Sequence, residues 1–187
     1  MKEKVKVTID GIEGEFEKDT TILEAARSMG IDIPTLCYLK EVNEIGACRL
    51  CCVEVEGENK LIPACDNVVV EGMSIITNSP RVRKASRTNL ELIMSKHNGN
   101  CTTCVRSGNC QLQIVSQILQ ENPVDRVIPK RGLDDSSPAM VRDMDKCIAC
   151  GRCVTVCNEV QKIGIYEMKF DEATGDRYVN TKKNVGL

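Results

Sequence analysis

Cys147, Cys150, Cys153 and Cys157 stand in the run CIACGRCVTVC, a C-x2-C-x2-C-x3-C spacing. Thiolates are soft metal ligands, and cysteines separated by two residues can meet one centre from a single tight loop. This run has the ligand spacing of a bacterial ferredoxin [4Fe–4S] cluster. Ala149 and Gly151 are small enough to let the backbone bend around such a group and aim amides at its sulfurs. A zinc site is the alternative, but it normally takes two separated C-x2-C pairs. In a two-cluster arrangement the fourth cysteine of the run serves the other cluster, and no cysteine follows Cys157. Cys147, Cys150 and Cys153 are therefore read as ligands. The fourth position stays open between Cys157 in altered geometry, a group from a partner, and a longer protein of which this chain is a piece.

The other eight cysteines form two further groups, set apart by cysteine-free stretches of 35 and 36 residues. Cys37, Cys48, Cys51 and Cys65, spaced C-x10-C-x2-C-x13-C, follow the single–pair–single logic of a plant-type [2Fe–2S] site, although that pattern has x4 in its first gap. Cys51 and Cys52 compete for one of these positions. In the strand-like CCVEVE, Cys51 shares a face with Val53 and Val55, so alternation and spacing both select Cys51 and leave Cys52 as a small filler residue. His97, Cys101, Cys104 and Cys110 make an H-x3-C-x2-C-x5-C group around the only histidine of the chain. Three cysteines need a fourth partner, and imidazole is the nearest one along the chain. A three-Cys, one-His zinc knuckle accepts the same donors.

The elements that would position these groups are legible around them. KVKVTI (4–9) alternates like a strand, Gly11 and Gly14 mark turns, and GEFEKD returns as a second strand. Thr21-Ile-Leu-Glu24 is a capping box that opens the helix ILEAARSM, and Gly30 closes it. Ser79 and Pro80 start a helix that runs to His97, with Arg81, Arg83, Lys84 and Arg87 forming a basic, solvated first half. LQIVSQIL after Cys110 is a helix with a core face. Residues 123–146, with three prolines and mixed charge, read as a linker or wrapping segment, and GIYEMKF and DRYVN form a hairpin turning at Gly175.

Composition narrows the function. The 187 residues hold twelve cysteines but five aromatics and no Trp, so something other than aromatic packing must help hold the chain together. A net charge of −2 argues against a phosphate-binding surface, and the aromatic shortage argues against base stacking, so no nucleic-acid partner is expected. Apolar runs are too short for a transmembrane helix, and the N-terminus lacks the apolar core of a secretory signal. A cytoplasmic protein with no direct membrane insertion follows, its cysteines serving metal before disulfides.

IPTLCYLKEVNEIGACRLCCVEVEG, HNGNCTTCVRSGNC and DKCIACGRCVTVCNEVQ resemble the N-terminal iron–sulfur region of NAD(P)-linked, electron-bifurcating hydrogenases. The same segments are similar to the large iron–sulfur subunit of NADH–quinone oxidoreductase (complex I), to diaphorase small subunits of soluble NAD-linked hydrogenases and to some formate dehydrogenases. The resemblance implies an α+β fold: a β-grasp [2Fe–2S] ferredoxin domain over 1–78, a small helical one-His-three-Cys [4Fe–4S] module over 79–122, and a linker plus ferredoxin-like [4Fe–4S] segment over 123–187. It assigns one [2Fe–2S] cluster to Cys37, Cys48, Cys51 and Cys65. A [4Fe–4S] cluster falls to His97, Cys101, Cys104 and Cys110, and a second to Cys147, Cys150 and Cys153 with Cys157 from the same run.

Longer relatives continue into a second C-x2-C-x2-C-x3-C run and a catalytic domain, and this chain has neither, nor any G-x-G-x-x-G loop for flavin or nicotinamide. The resemblance therefore implies an electron-transfer subunit with no catalytic site of its own. Its implied partners are a flavin-bearing NAD(P)H-oxidising subunit, a thioredoxin-like [2Fe–2S] subunit, a separate hydrogenase or formate-dehydrogenase catalytic subunit, and a ferredoxin. Any bifurcation would lie in the flavin-bearing partner. The alternatives are an N-terminal fragment of a longer iron hydrogenase or formate dehydrogenase, and a zinc-organised binding module.

Overall fold

A computed structural model describes residues 3–121, 130–137 and 140–182. Strand β1 (Lys4–Ile9) buries Val5, Val7 and Ile9 on one face, as its alternation requires. Asp10 and Gly11, with φ of 50° and 84°, make the left-handed two-residue turn into β2 (Ile12–Glu17). Gly14, expected at a turn, instead lies inside β2 opposite Val7. A β-carbon there would meet the Phe16 ring at 2.5 Å, so this glycine makes room for a side chain and not for a bend.

Helix α1 (Ile22–Ser28) starts where expected, with the Thr21 hydroxyl accepting the Glu24 N–H at 3.2 Å. Only half of the capping box forms, because the Glu24 carboxylate turns away to take the Tyr38 hydroxyl at 2.8 Å and Lys40 at 3.0 Å. Strands β3 (Cys52–Val55), β4 (Ile62–Pro63) and β5 (Ser74–Ile76) complete a mixed five-stranded sheet in the order β2-β1-β5-β3-β4. The β1–β5 pair is parallel and the others are antiparallel. Ile9, Ile22, Leu23, Val53 and Ile75 fill the space between sheet and α1, each contributing about 2 kcal/mol by burial. Cys51 and Cys65 belong to this core.

Helix α2 (Pro80–Met94) has Ser79 as its cap, accepting the Val82 N–H at 3.1 Å. It ends three residues before His97, which is reached by turns, its N–H bonded to the Met94 carbonyl at 3.1 Å. The helix is tied to the cysteine loop: Ser86 donates to the Leu50 carbonyl and Asn89 to that of Arg49. Its basic residues are exposed but engaged. Arg81 reaches Glu54 and the Asn59 carbonyl, Arg83 the Asn78 carbonyl, and Arg87 the Leu119 carbonyl. Helix α3 (Gln111–Leu119) buries Leu112 and Val115 against α2 as expected, while Ile114 and Ile118 face outward.

The expected linker of 123–146 is structured where it is described. β6 (Leu133–Ser137) and β7 (Met140–Asp143) form a hairpin, followed by a tight turn at Met144–Lys146; residues 123–129, 138 and 139 lie outside the described part. After Gly151 comes one helical turn, α4 (Arg152–Thr155), widening into a π-turn over Val156–Val160. The hairpin β8 (Tyr166–Asp171) and β9 (Asp176–Thr181) forms as expected, with Gly175 at φ 67°.

Asp176 clamps this hairpin to the end of α2. It is buried, and its carboxylate accepts Lys96 at 2.5 Å and Arg131 at 2.8 Å, while Arg131 stacks on Tyr178. Burial opposes ionisation, but Lys96 and Arg131 together hold the carboxyl below its ordinary 3.8. Asp176→Asn should therefore destabilise the chain by about 2 kcal/mol at neutral pH, read as a lower urea midpoint. A lowered carboxyl contributes stability above its unfolded value and loses it as pH falls through the folded one, so the gap to wild type should close in acid below pH 3.8.

Candidate metal centres

The loop between α1 and β3 carries Cys37, Cys48 and Cys51, and Cys65 follows β4; all four are buried. Cys65 is placed by the start of α1, where the Leu23 and Ile22 N–H groups bond the Ala64 and Asn67 carbonyls. The thiols neighbour one another in the order Cys48, Cys37, Cys65 and Cys51. A backbone donor also points at this group: the Cys48 N–H reaches the Cys37 Sγ at 3.5 Å. Gly46 has φ 58°, a conformation that favours glycine, and a β-carbon there would lie 2.7 Å from the Asp66 carboxylate.

The neighbouring Cys37 raises the Cys48 thiol, and burial adds to it. For Cys65, Cys37 acts downward, but Cys51 and burial win and push it up to about 12. A buried thiol set with only N–H dipoles for compensation stays protonated by itself, and a bound metal group supplies the positive charge that would ionise it. The donor set thus fits a thiolate-ligated metal group. Cys52 is buried beside Arg49 and Cys48, and burial raises its thiol.

The second group surrounds a cavity of about 690 Å³ whose wall includes His97, Cys101, Cys104 and Cys110. The turns after α2 deliver His97, a tight turn over Cys101–Thr103 carries Cys101 with Cys104 directly after it, and Cys110 precedes α3. The rest of the wall is largely apolar, with Leu36, Met94, Leu112 and Ile148, and it extends to Cys150 and Arg152 of the third group.

In the third group Cys153 is exposed, and partial desolvation of its sulfur together with repulsion from Cys150 and Cys147 raises its thiol. Ala149 and Gly151 both have positive φ, 51° and 79°, and the Ala149 N–H is turned onto the Cys147 Sγ at 3.4 Å. Cys157 has a different setting. Its sulfur accepts the Ile165 N–H at 3.3 Å, and the amides of Tyr166, Ile165 and Gly164, with help from Lys182, hold its thiol low. Among the described residues no three His, Cys, Asp or Glu side chains are drawn together as one metal ion requires.

The spacing of the cysteines carries no sign of what joins the groups. The Asn43 carboxamide, fully buried, donates to the Cys37 carbonyl at 2.7 Å and the Cys150 carbonyl at 3.1 Å, and accepts the Thr155 hydroxyl at 2.6 Å. Arg152 bonds the Cys37 and Tyr38 carbonyls at 3.2 and 2.6 Å. Leu36, Cys37, Cys48, Leu50, Leu90, Leu112 and Val115 make one apolar core, with Cys110 and Cys150 packed against it. Cysteines of all three groups therefore share a single core.

Known proteins match this arrangement segment by segment. The family of 2Fe-2S iron-sulfur cluster binding domains matches residues 2–80, that of the NADH-ubiquinone oxidoreductase-G iron-sulfur binding region 87–120, and that of 4Fe-4S binding domains 140–157. The NADP-reducing hydrogenase subunit HndD of Solidesulfovibrio fructosivorans is 44% identical over 166 residues, 85% of this chain and 28% of that protein. The NADH-ubiquinone oxidoreductase 75 kDa subunit of Reclinomonas americana is 37% identical over 158 residues, 83% of this chain and 23% of that protein. The chain thus spans less than a third of the length of either relative. A chain of the NAD+-reducing [NiFe]-hydrogenase crystal structure in the H2-reduced state superposes with a TM-score of 0.85 at 28% identity, over 97% of this chain and 76% of that one. No helix among the described residues is long and apolar enough to cross a membrane. The chain thus carries 2Fe-2S and 4Fe-4S binding domains in this order and is homologous to the iron–sulfur region shared by NAD(P)-linked hydrogenases and the large iron–sulfur subunit of NADH–quinone oxidoreductases.

Proposed function

We propose that the chain is an electron relay in an NAD(P)H-linked oxidoreductase of the hydrogenase type. The observation that carries this reading is the convergence of three cysteine groups on one apolar core. Electrons would pass between a flavin-bearing NAD(P)H-oxidising subunit and a hydrogenase or formate-dehydrogenase catalytic unit, in either direction. A thioredoxin-like [2Fe–2S] subunit and a ferredoxin complete the set of partners, in the cytoplasm. The relay is the same whether the catalytic unit is a separate chain or continues this one. In this reading residues 1–78 form a β-grasp ferredoxin domain, 79–122 a one-His-three-Cys module and 123–187 a linker with a ferredoxin-type segment.

Cys37, Cys48, Cys51 and Cys65 would hold a [2Fe–2S] cluster, His97, Cys101, Cys104 and Cys110 a [4Fe–4S] cluster, and Cys147, Cys150 and Cys153 a second one, with Cys157 from the same run. Bound clusters supply one-electron redox chemistry. The chain's own residues position the thiols, aim N–H donors at sulfur from Cys48, Ala149 and Ile165, and keep water from the Leu36–Leu50–Leu112 core. N–H bonds to ligand sulfur and exclusion of water are the levers that set cluster potentials.

Anaerobically purified protein should contain about ten irons per chain and show both cluster types by EPR after dithionite reduction. Zinc in place of iron, with no EPR signal, would leave a structural module instead. Cys51→Ser should abolish the [2Fe–2S] signal, whereas Cys52→Ser should keep it and the full iron content. Replacing the His97 imidazole by a thiolate in His97→Cys adds negative charge, so the midpoint potential of that centre should fall; an unmoved potential takes His97 out of the ligand set.

A further inference from the structure

Arg152 stands between two candidate ligands, Cys150 and Cys153, at the start of α4. Its side chain leaves the third group and crosses to the first. Nε donates to the Cys37 carbonyl and Nη2 to the Tyr38 carbonyl. The same residue lines the cavity bounded by His97, Cys101, Cys104 and Cys110. The guanidinium is half-buried, and among the described residues no carboxylate pairs with it. Of the other arginines near these groups, Arg49 and Arg106 are exposed, Arg131 faces Asp176 and Asp171, and Arg142 faces Asp134.

Its position is held from several sides. Gly151, at φ 79°, turns the chain into α4 and packs against Ile45 and Asn43. Asn43 bonds the same Cys37 carbonyl, and Thr155, one turn after Arg152, bonds Asn43. The guanidinium cannot lose its proton in the accessible pH range, so its charge is permanent.

We propose that Arg152 is an electrostatic positioning residue shared by the centres at Cys37–Cys65 and Cys147–Cys153, raising the reduction potential of both. A fixed cation favours whichever state of a neighbouring redox group carries more negative charge, which is the reduced one. Because the interaction lies in an apolar, half-buried setting, solvent screens it weakly. The inference rests on the iron–sulfur reading of these two cysteine groups.

The test is an EPR-monitored redox titration of the iron-loaded full chain as wild type, Arg152→Gln and Arg152→Lys, with Lys18→Gln as a control. Lys18 pairs with Glu3 on the far, exposed edge of the sheet, so the control makes the same charge change away from both centres. Arg152→Gln should lower the midpoint potentials of the [2Fe–2S] centre and of the Cys147–Cys153 centre together. Arg152→Lys should restore most of both shifts, and the control should move neither. If the Gln variant fails to load iron, Arg152→Met, which keeps the length of the apolar stem, answers the same question with the same expected fall. Full iron content with both potentials unmoved overturns the inference. An equal fall in the Lys and Gln variants also overturns it, because the effect would then come from the carbonyl bonds and not from charge. Wild-type protein that takes up no iron overturns the underlying reading as well, a result separable from loaded protein whose potentials stay put.

Discussion

Everything in this molecule is arranged around the problem of bringing three cysteine groups, far apart in the chain, into one water-poor core. The solution runs through a few buried polar contacts in place of extensive aromatic packing. The carboxamide of Asn43 spans the Cys37 and Cys150 carbonyls, two residues more than a hundred positions apart, and its own oxygen is satisfied by Thr155. In a low-dielectric interior such a fully satisfied side chain is strongly position-determining, because breaking any of its bonds strands a buried polar group. The Leu36–Leu50–Leu90–Leu112–Val115 core then closes over the join.

This construction explains how a chain so poor in aromatics holds together. The sheet and α1 form an ordinary aliphatic core, in which Cys51 and Cys65 serve as small buried side chains. Beyond that sheet, segments are short and strands come in isolated pairs, which are marginal alone. Loops rich in thiols and left-handed turns, such as Ala149 and Gly151, would gain stability from a metal group bound by the thiols, coupling its uptake to folding. The Asp176–Lys96–Arg131 clamp serves the same end electrostatically, fastening the β8–β9 hairpin to the residue next to His97.

Local features were readable along the chain because they depend on near neighbours. The β1 alternation, the Thr21 and Ser79 caps, the Gly175 turn and the shared core of Cys51, Val53 and Val55 all follow from periodicity or from hydrogen bonds within one turn. Local rules failed where a distant partner decided. Gly14 is a strand residue because Phe16 occupies its β-carbon space, and Glu24 leaves its capping box because Tyr38 and Lys40 compete for the carboxylate. The β6–β7 hairpin hid in a segment whose prolines and charges suggested a linker.

The sequence by itself determined the donor types on offer: which residues are thiols, how they are spaced, and where the lone imidazole lies along the chain, since side-chain type and gap length are covalent properties of the chain. Only the tertiary structure decided which groups face each other. Asn43 and Arg152 carry no motif, and nothing local distinguishes them from a surface asparagine or a solvated cation. Their importance comes from the carbonyls they meet across the fold, and long-range hydrogen bonds leave no periodic trace in a sequence.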